Sequence, residues 1–188
     1  VAGIQLSLNK MLKVGDWITI KKLDIDGNVE EISLTTVKVR NFDNTISTIP
    51  PYTLVSDTFQ NWNAMVTTGA RRIKRTLYID VQSIRSLSLS EVEALIAEKL
   101  LSQKDITNNT NINLTLYRHH LSELLKKDKD IVQDQWILVR QLNPTPNGLP
   151  LEIWLYTNNT NFVDYEEVAA SRIESMIALL PTFHLQMF

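Results

Sequence analysis

Trp136-Ile137-Leu138-Val139-Arg140-Gln141-Leu142, then Asn143-Pro144-Thr145-Pro146-Asn147-Gly148, then Leu151-Glu152-Ile153-Trp154-Leu155-Tyr156-Thr157 reads as a strand, a turn and a returning strand. The flanks are rich in β-branched and aromatic residues, and the middle is built of residues that break regular structure. Upstream, Leu114 to Lys127 reads as a helix that ends in a Lys-Lys-Asp-Lys-Asp run. Before it, Ser90 and Glu93 have capping-box spacing and start another helix, with Val92, Leu95, Ile96 and Leu100 on its buried face. Arg72 to Val81 is a strand with apolar Ile73, Leu77, Ile79 and Val81. Downstream, Asp164 with Glu167 caps a long helix whose core face is Ala169, Ile173, Met176, Ile177 and Leu180. Pro181 stops that helix, and a terminal strand lies within residues 182–188, from His184 to Phe188. In order, residues 69–188 read β-α-(α)-β-β-α-β, a ferredoxin-like α+β domain with an extra helix after the first.

Residues 14–68 read as short strands joined by tight turns. Trp17-Ile18-Thr19-Ile20 is a strand, and Asp26-Gly27 is a hairpin signal because Gly accepts positive φ. Val29 to Ile32 returns, Thr35 to Arg40 alternates as a half-buried strand, and Thr45 to Ile49 runs up to Pro50-Pro51. Phe59 to Met65, with Trp62, is the last strand or the exit from the domain. This spacing predicts a small all-β barrel or sandwich. Thr67-Thr68-Gly69-Ala70 reads as a linker. Residues 1–13 form a helix without a cap at its start, with Val1, Ile4, Leu8 and Met11 on one face.

Chemistry is sparse. There are no cysteines, which excludes disulfides, thiolate metal sites and a Cys nucleophile. A net charge of -2 gives no global field for nucleic acid. His119 and His120 are adjacent on a helix and point about 100° apart, so they do not chelate one ion. His119 and Glu123 have i, i+4 spacing but no further ligand is indicated. Asp24-Ile25-Asp26-Gly27-Asn28 resembles the start of a calcium loop but lacks its sixth-position Gly and twelfth-position Glu. With five glycines there is no phosphate-binding loop, and no cofactor pocket is suggested. No catalytic residues are expected. Arg71-Arg72-Ile73-Lys74-Arg75 is the one dense basic cluster, a solvated strand edge or a contact for RNA, anionic lipid or ions.

Several segments together resemble the small-conductance mechanosensitive channel (MscS) family. They are Val1-Ala2-Gly3-Ile4 running to Lys13-Val14-Gly15-Asp16-Trp17-Ile18, Gly27-Asn28-Val29-Glu30-Glu31-Ile32, and Thr36 to Asp43. Ile49-Pro50-Pro51 departs from the family's Ile-Pro-Asn. Leu34 to Asp43, Gly69 to Asp80, Val139 to Leu142 and Gly148 to Ile153 are similar to its miniconductance branch, with residues 103–130 as a short insertion. The resemblance implies an Sm-like β domain under a bacterial inner membrane, on its cytoplasmic side, and a chain that begins inside the last pore helix. It implies a homo-oligomer, a heptamer in the family, that opens on membrane tension and releases ions and solutes in hypo-osmotic shock. The lipid bilayer would be reached through membrane helices outside this stretch. No cofactor and no nucleic acid partner are implied. Arg71, Arg72, Lys74 and Arg75 would line a vestibule or portal for permeating ions. Val1, Ile4, Leu8, Trp62, Leu185 and Phe188 would contact neighbouring subunits. The competing expectation is a soluble RNA-binding or protein-interaction module.

Overall fold

The computed structural model describes residues 2–106 and 111–188, and its chain divides into two compact units, residues 1–68 and 69–188. In the first unit, helix α1 (Ala2–Met11) precedes strands β1 (Trp17–Ile20), β2 (Ile25–Ile32), β3 (Val37–Asn41) and β4 (Ile46–Ile49). Helix α2 (Pro51–Ser56), strand β5 (Gln60–Asn61) and helix α3 (Asn63–Thr68) follow. The strands form one antiparallel sheet in the order β4-β3-β2-β1-β5. The expected barrel or sandwich is therefore an open sheet, with no ladder joining β4 to β5 among the described residues. The layer over its apolar face is helical instead. Leu8 and Leu12 from the first helical stretch and Leu54 from α2 bury against Ile18, Ile20, Ile25, Val29, Val37, Val39 and Ile49. α2 begins where Pro50-Pro51 ends β4, since proline is well suited to the first turn of a helix.

The first hairpin does not turn at Asp26-Gly27. It turns through a 3₁₀ segment, Lys21–Leu23, and Asp24 takes the left-handed conformation (φ 54°). Asp26 and Gly27 lie inside β2, opposite Thr19 and Ile18. Gly27 is needed there for a different reason. A Cβ would sit 1.9 Å from the Arg40 carbonyl oxygen, a backbone atom of the neighbouring strand. Trp62 leaves the strand after β5 and stands at the start of α3, so the expected strand through Met65 ends at Asn61.

The second unit runs β6 (Arg71–Ile79), α4 (Leu89–Ala97), α5 (Gln103–Ile106) and α6 (Asn113–Leu125), then β7 (Leu138–Gln141), β8 (Leu149–Thr157) and α7 (Phe162–Leu179). The sheet order is β6-β8-β7, antiparallel throughout. The chain end does not form a full strand. After a 3₁₀ turn at Leu180–Phe183, His184 is left-handed (φ 57°) and only Met187 bridges to Ile79. Asp80 N–H donates to Gln186 O at 2.8 Å and Phe188 N–H to Tyr78 O at 2.9 Å. That single bridge puts the terminus on the free edge of β6, where the fourth strand of a ferredoxin-like sheet belongs. On the opposite edge, Arg118 Nε donates to the Val139 carbonyl of β7 at 3.0 Å.

Two helix starts differ from expectation. α4 is capped by Ser88 with Glu91, two residues before the Ser90–Glu93 pair, and both reciprocal bonds of a capping box are present. α7 is capped by Asn161, which accepts from Val163 and Asp164 N–H, because Asn161 is extended there while Asp164 is already helical. Between the helices, Tyr117 donates its hydroxyl to Met176 O at 2.7 Å and meets Phe183 edge-on at 5.5 Å. Burial pushes the Tyr117 hydroxyl well above its ordinary pKa. Arg172 on α7 reaches Asp128 (2.5 and 2.9 Å) and Asp130 (2.8 Å), just after α6. Among the described residues no helix is long and apolar enough to cross a membrane.

Three outcomes follow from these contacts. Asn161→Ala should cost about 1 kcal/mol and Asp164→Ala less, in urea melts, because only the former removes the cap acceptor. Gly27→Ala should cost about 3 kcal/mol, since overpacking here meets backbone that has nowhere to go. Glu91 is held at about 2, first by the Arg85 guanidinium and then by the Ser88 N–H. Its folded value lies below its unfolded one, so its contribution is complete above the unfolded value and is lost as pH falls towards about 2. A carboxyl NMR titration should show that low midpoint, and Arg85→Met should raise it.

Candidate functional site: a cationic sheet face

The alternation of β6 divides the basic cluster between the two faces of the sheet. Arg71 and Arg75 share the side of Ile73, Leu77 and Ile79, towards α7. The Arg71 guanidinium lies 4.0 Å from the Tyr165 ring centroid and 5.7 Å from that of Phe162, and donates to Thr160 O at 3.1 Å. Arg75 pairs with Glu166 at 3.3 Å. These two arginines fasten α7 to the sheet.

Arg72 and Lys74 take the other face. The register places Lys74 beside Trp154 and Leu138, and Glu152 beside Thr76 and Arg140. Three cations from two strands thereby surround one indole. Arg72, Lys74 and Arg140 lie 4.8, 5.2 and 5.9 Å from the Trp154 ring. This is within the range of cation–π attraction, about 0.5–2 kcal/mol each. Glu152 sits beneath them, with only 5% of its side chain exposed. It accepts from Arg140 Nε at 2.8 Å, and lies 2.7 Å from Arg140 Nη2 and 3.9 Å from Lys74 Nζ. A carboxylate so buried is tolerable because both flanking cations compensate it. Three cations against one carboxylate leave two positive charges in excess on this face. The Trp154 Nε1 proton is buried without an acceptor among the described residues. The arrangement offers no nucleophile with an adjacent base. It draws anions and repels cations.

Arg140 and Glu152 escaped the sequence reading, although the signal was present. The hairpin register and period-2 alternation put both on the face of Arg72 and Lys74.

The other sequence-derived residues are scattered. Val1 lies outside the described residues. Ile4 is half-buried, while Leu8 and Leu185 are fully buried within their own units. Phe188 is 69% exposed. Trp62 stacks on Trp17 at 4.5 Å, and Phe42 meets Trp17 edge-on at 5.5 Å. Asp26 organises this outer face of the first sheet. It accepts from Trp17 Nε1 at 2.7 Å and from Thr19 Oγ1 at 2.9 Å, and Thr19 in turn accepts from Trp62 Nε1. Among the described residues no group of three or more His, Asp or Glu side chains is placed to hold a metal ion.

Residues 1–64 match the family model described as mechanosensitive ion channel, beta-domain. An uncharacterised MscS family protein of Aquifex aeolicus is 25% identical over 168 residues, 89% of this chain and 37% of its own length. The small-conductance mechanosensitive channel MscMJ of Methanocaldococcus jannaschii is 28% identical over 123 residues, 65% of this chain and 31% of its own. This chain thus spans about a third of the length of those relatives. In fold it is similar to Helicobacter pylori MscS in the closed state, with a TM-score of 0.64 at 16% identity. That match covers 99% of this chain and 59% of the other. It is also similar to Arabidopsis thaliana MSL1, with a TM-score of 0.69 at 11% identity, covering 100% of this chain and 56% of the other. Residues 1–64 thus match the channel β-domain, and the similarity to an MscS family protein continues into the α+β unit.

Proposed function

We propose that this chain is the cytoplasmic part of a mechanosensitive channel subunit, which opens under membrane tension and lets ions and small solutes leave the cell in hypo-osmotic shock. The observation that carries the proposal is the match of residues 1–64 to the channel β-domain. Tension favours whichever state occupies more membrane area, so gating is a shift of population without a chemical step. The subunits form a homo-oligomer, a heptamer, in the bacterial inner membrane. The segments Leu34 to Asp43 and Gly148 to Ile153 support a place in the miniconductance branch.

In this reading Arg72, Lys74 and Arg140 stand beside the solute path, and the excess positive charge favours anions there. Arg71 and Arg75, occupied with α7, serve stability instead. An RNA-binding module has less support, because the Trp154 ring that a base would stack on is already covered by three cations.

Patch recordings of the full-length protein should show currents that rise with suction, and silence under lytic tension would overturn the proposal. Residues 1–188 alone should give no currents in planar bilayers. Reversing Arg72, Lys74 and Arg140 to Glu in the full channel should shift the reversal potential in a salt gradient towards cations. An unchanged reversal potential would remove the portal role while leaving the gating proposal standing.

A further inference from the structure

The loop between Val132 and Leu138 holds an indole out in solvent. Trp136 is 69% exposed, and among the described residues it makes no hydrogen bond and no ring contact. The loop is nevertheless pinned at both ends. Before it, Val132 N–H donates to Tyr156 O at 2.8 Å. After it, Ile137 packs against the core and β7 begins at Leu138. Within it, the Gln133 side-chain amide donates to Leu125 O and Ile131 O, each at 3.0 Å, and lies 3.2 Å from Asp128 O. Leu125 is the last residue of α6, so the amide satisfies a carbonyl that the helix leaves unpaired. An aromatic side chain carried on backbone that is already ordered loses little entropy when it docks.

A receptor for such a side chain lies between α6 and α7. It is a groove of about 380 Å³ floored by Leu121, Leu124, Leu125, Met176 and Leu179. That volume falls in the range of small-ligand pockets, about 300–1,000 Å³. Two further residues at the groove suit this loop. Ser175 Oγ donates to Ser171 O at 2.8 Å and keeps its lone pairs for an indole N–H. Lys127 forms no ion pair among the described residues, and neither does Asp134, two residues before Trp136. Arg172, also at the groove, is already engaged by Asp128 and Asp130. Trp136 stays exposed in its own chain, so the copy that receives it is another one.

We infer that Trp136 of one copy docks into the α6–α7 groove of a second copy, with Asp134 of the first beside Lys127 of the other. Anchor and receptor are different surfaces, so the contact is heterologous. Each pair keeps one free anchor and one free groove, and repetition closes into a ring where the rotation allows. The inference deepens the homo-oligomer reading and rests on it, adding which surfaces meet. One indole buries about 150–250 Å², far below the roughly 1,200–2,000 Å² of a stable interface. The isolated contact is therefore weak.

Sedimentation equilibrium of residues 1–188 is the test, with association expected at roughly 0.1–1 mM. Trp136→Ala and Leu124→Glu should each weaken it at least about tenfold, the first by removing the anchor and the second by charging the floor. Trp136 and Leu124 are 69% and 49% exposed, so both variants should keep the wild-type urea midpoint. Mixing the two variants should restore 1:1 pairs and nothing larger, because the mixture retains one intact anchor for one intact groove. Monomers throughout, or no pairing in the mixture, would overturn the inference. So would association lost in Leu124→Glu but kept in Trp136→Ala, which would give the groove to another segment. Light scattering of the full-length protein judges the homo-oligomer reading separately. An oligomer there beside any of these failures removes the Trp136 contact alone.

Discussion

Strand β8 is hydrogen-bonded along both edges, to β6 through nine register pairs and to β7 through four. Seven of its nine residues are buried and the other two half-buried. Much of the second unit depends on that. A strand without a free edge fixes the register of both neighbours, and the register fixes which side chains share a face. One face receives α7, with Arg71 and Arg75 fastening it. The other receives Trp154, Glu152 and their cations. A slip of one residue would put Glu152 among the helices and Ile153 among the arginines.

Much of this was legible in the sequence, and the reasons for the rest are physical. The hairpin of residues 136–157 and the helices around Val92, Leu121 and Ala169 follow from periodicity and turn chemistry. The first sheet was legible as strands but not as an open sheet. Closure depends on β4 and β5 meeting, and the two-residue β5 is too slight a signal for that. Asp26-Gly27 looked like a turn because glycine has two uses. Here it admits a neighbouring backbone, as a comparison of β2 with β3 reveals and a local window does not. The capping residues were misplaced by two or three positions. Ser88, Ser90 and Asn161 are all chemically able to cap, and tertiary structure chooses which is extended.

The basic cluster shows what linear proximity conceals. Four cations within five residues looked like one surface, yet the pleat divides them into a structural pair and an exposed pair. The exposed pair recruits Arg140, more than sixty positions away. The electrostatic character of the face thus belongs to the hairpin register as much as to β6.

Arg118 has a consequence for self-association. An open strand edge is a template on which another chain grows the sheet. By donating to the Val139 carbonyl, Arg118 occupies an acceptor on the outer edge of β7. An added strand there must first displace a guanidinium. The opposite edge carries only the short segment bridged at Met187. Sheet growth in this unit is therefore hindered at the β7 margin by a side chain and at the β6 margin by backbone bonds from residues 186–188.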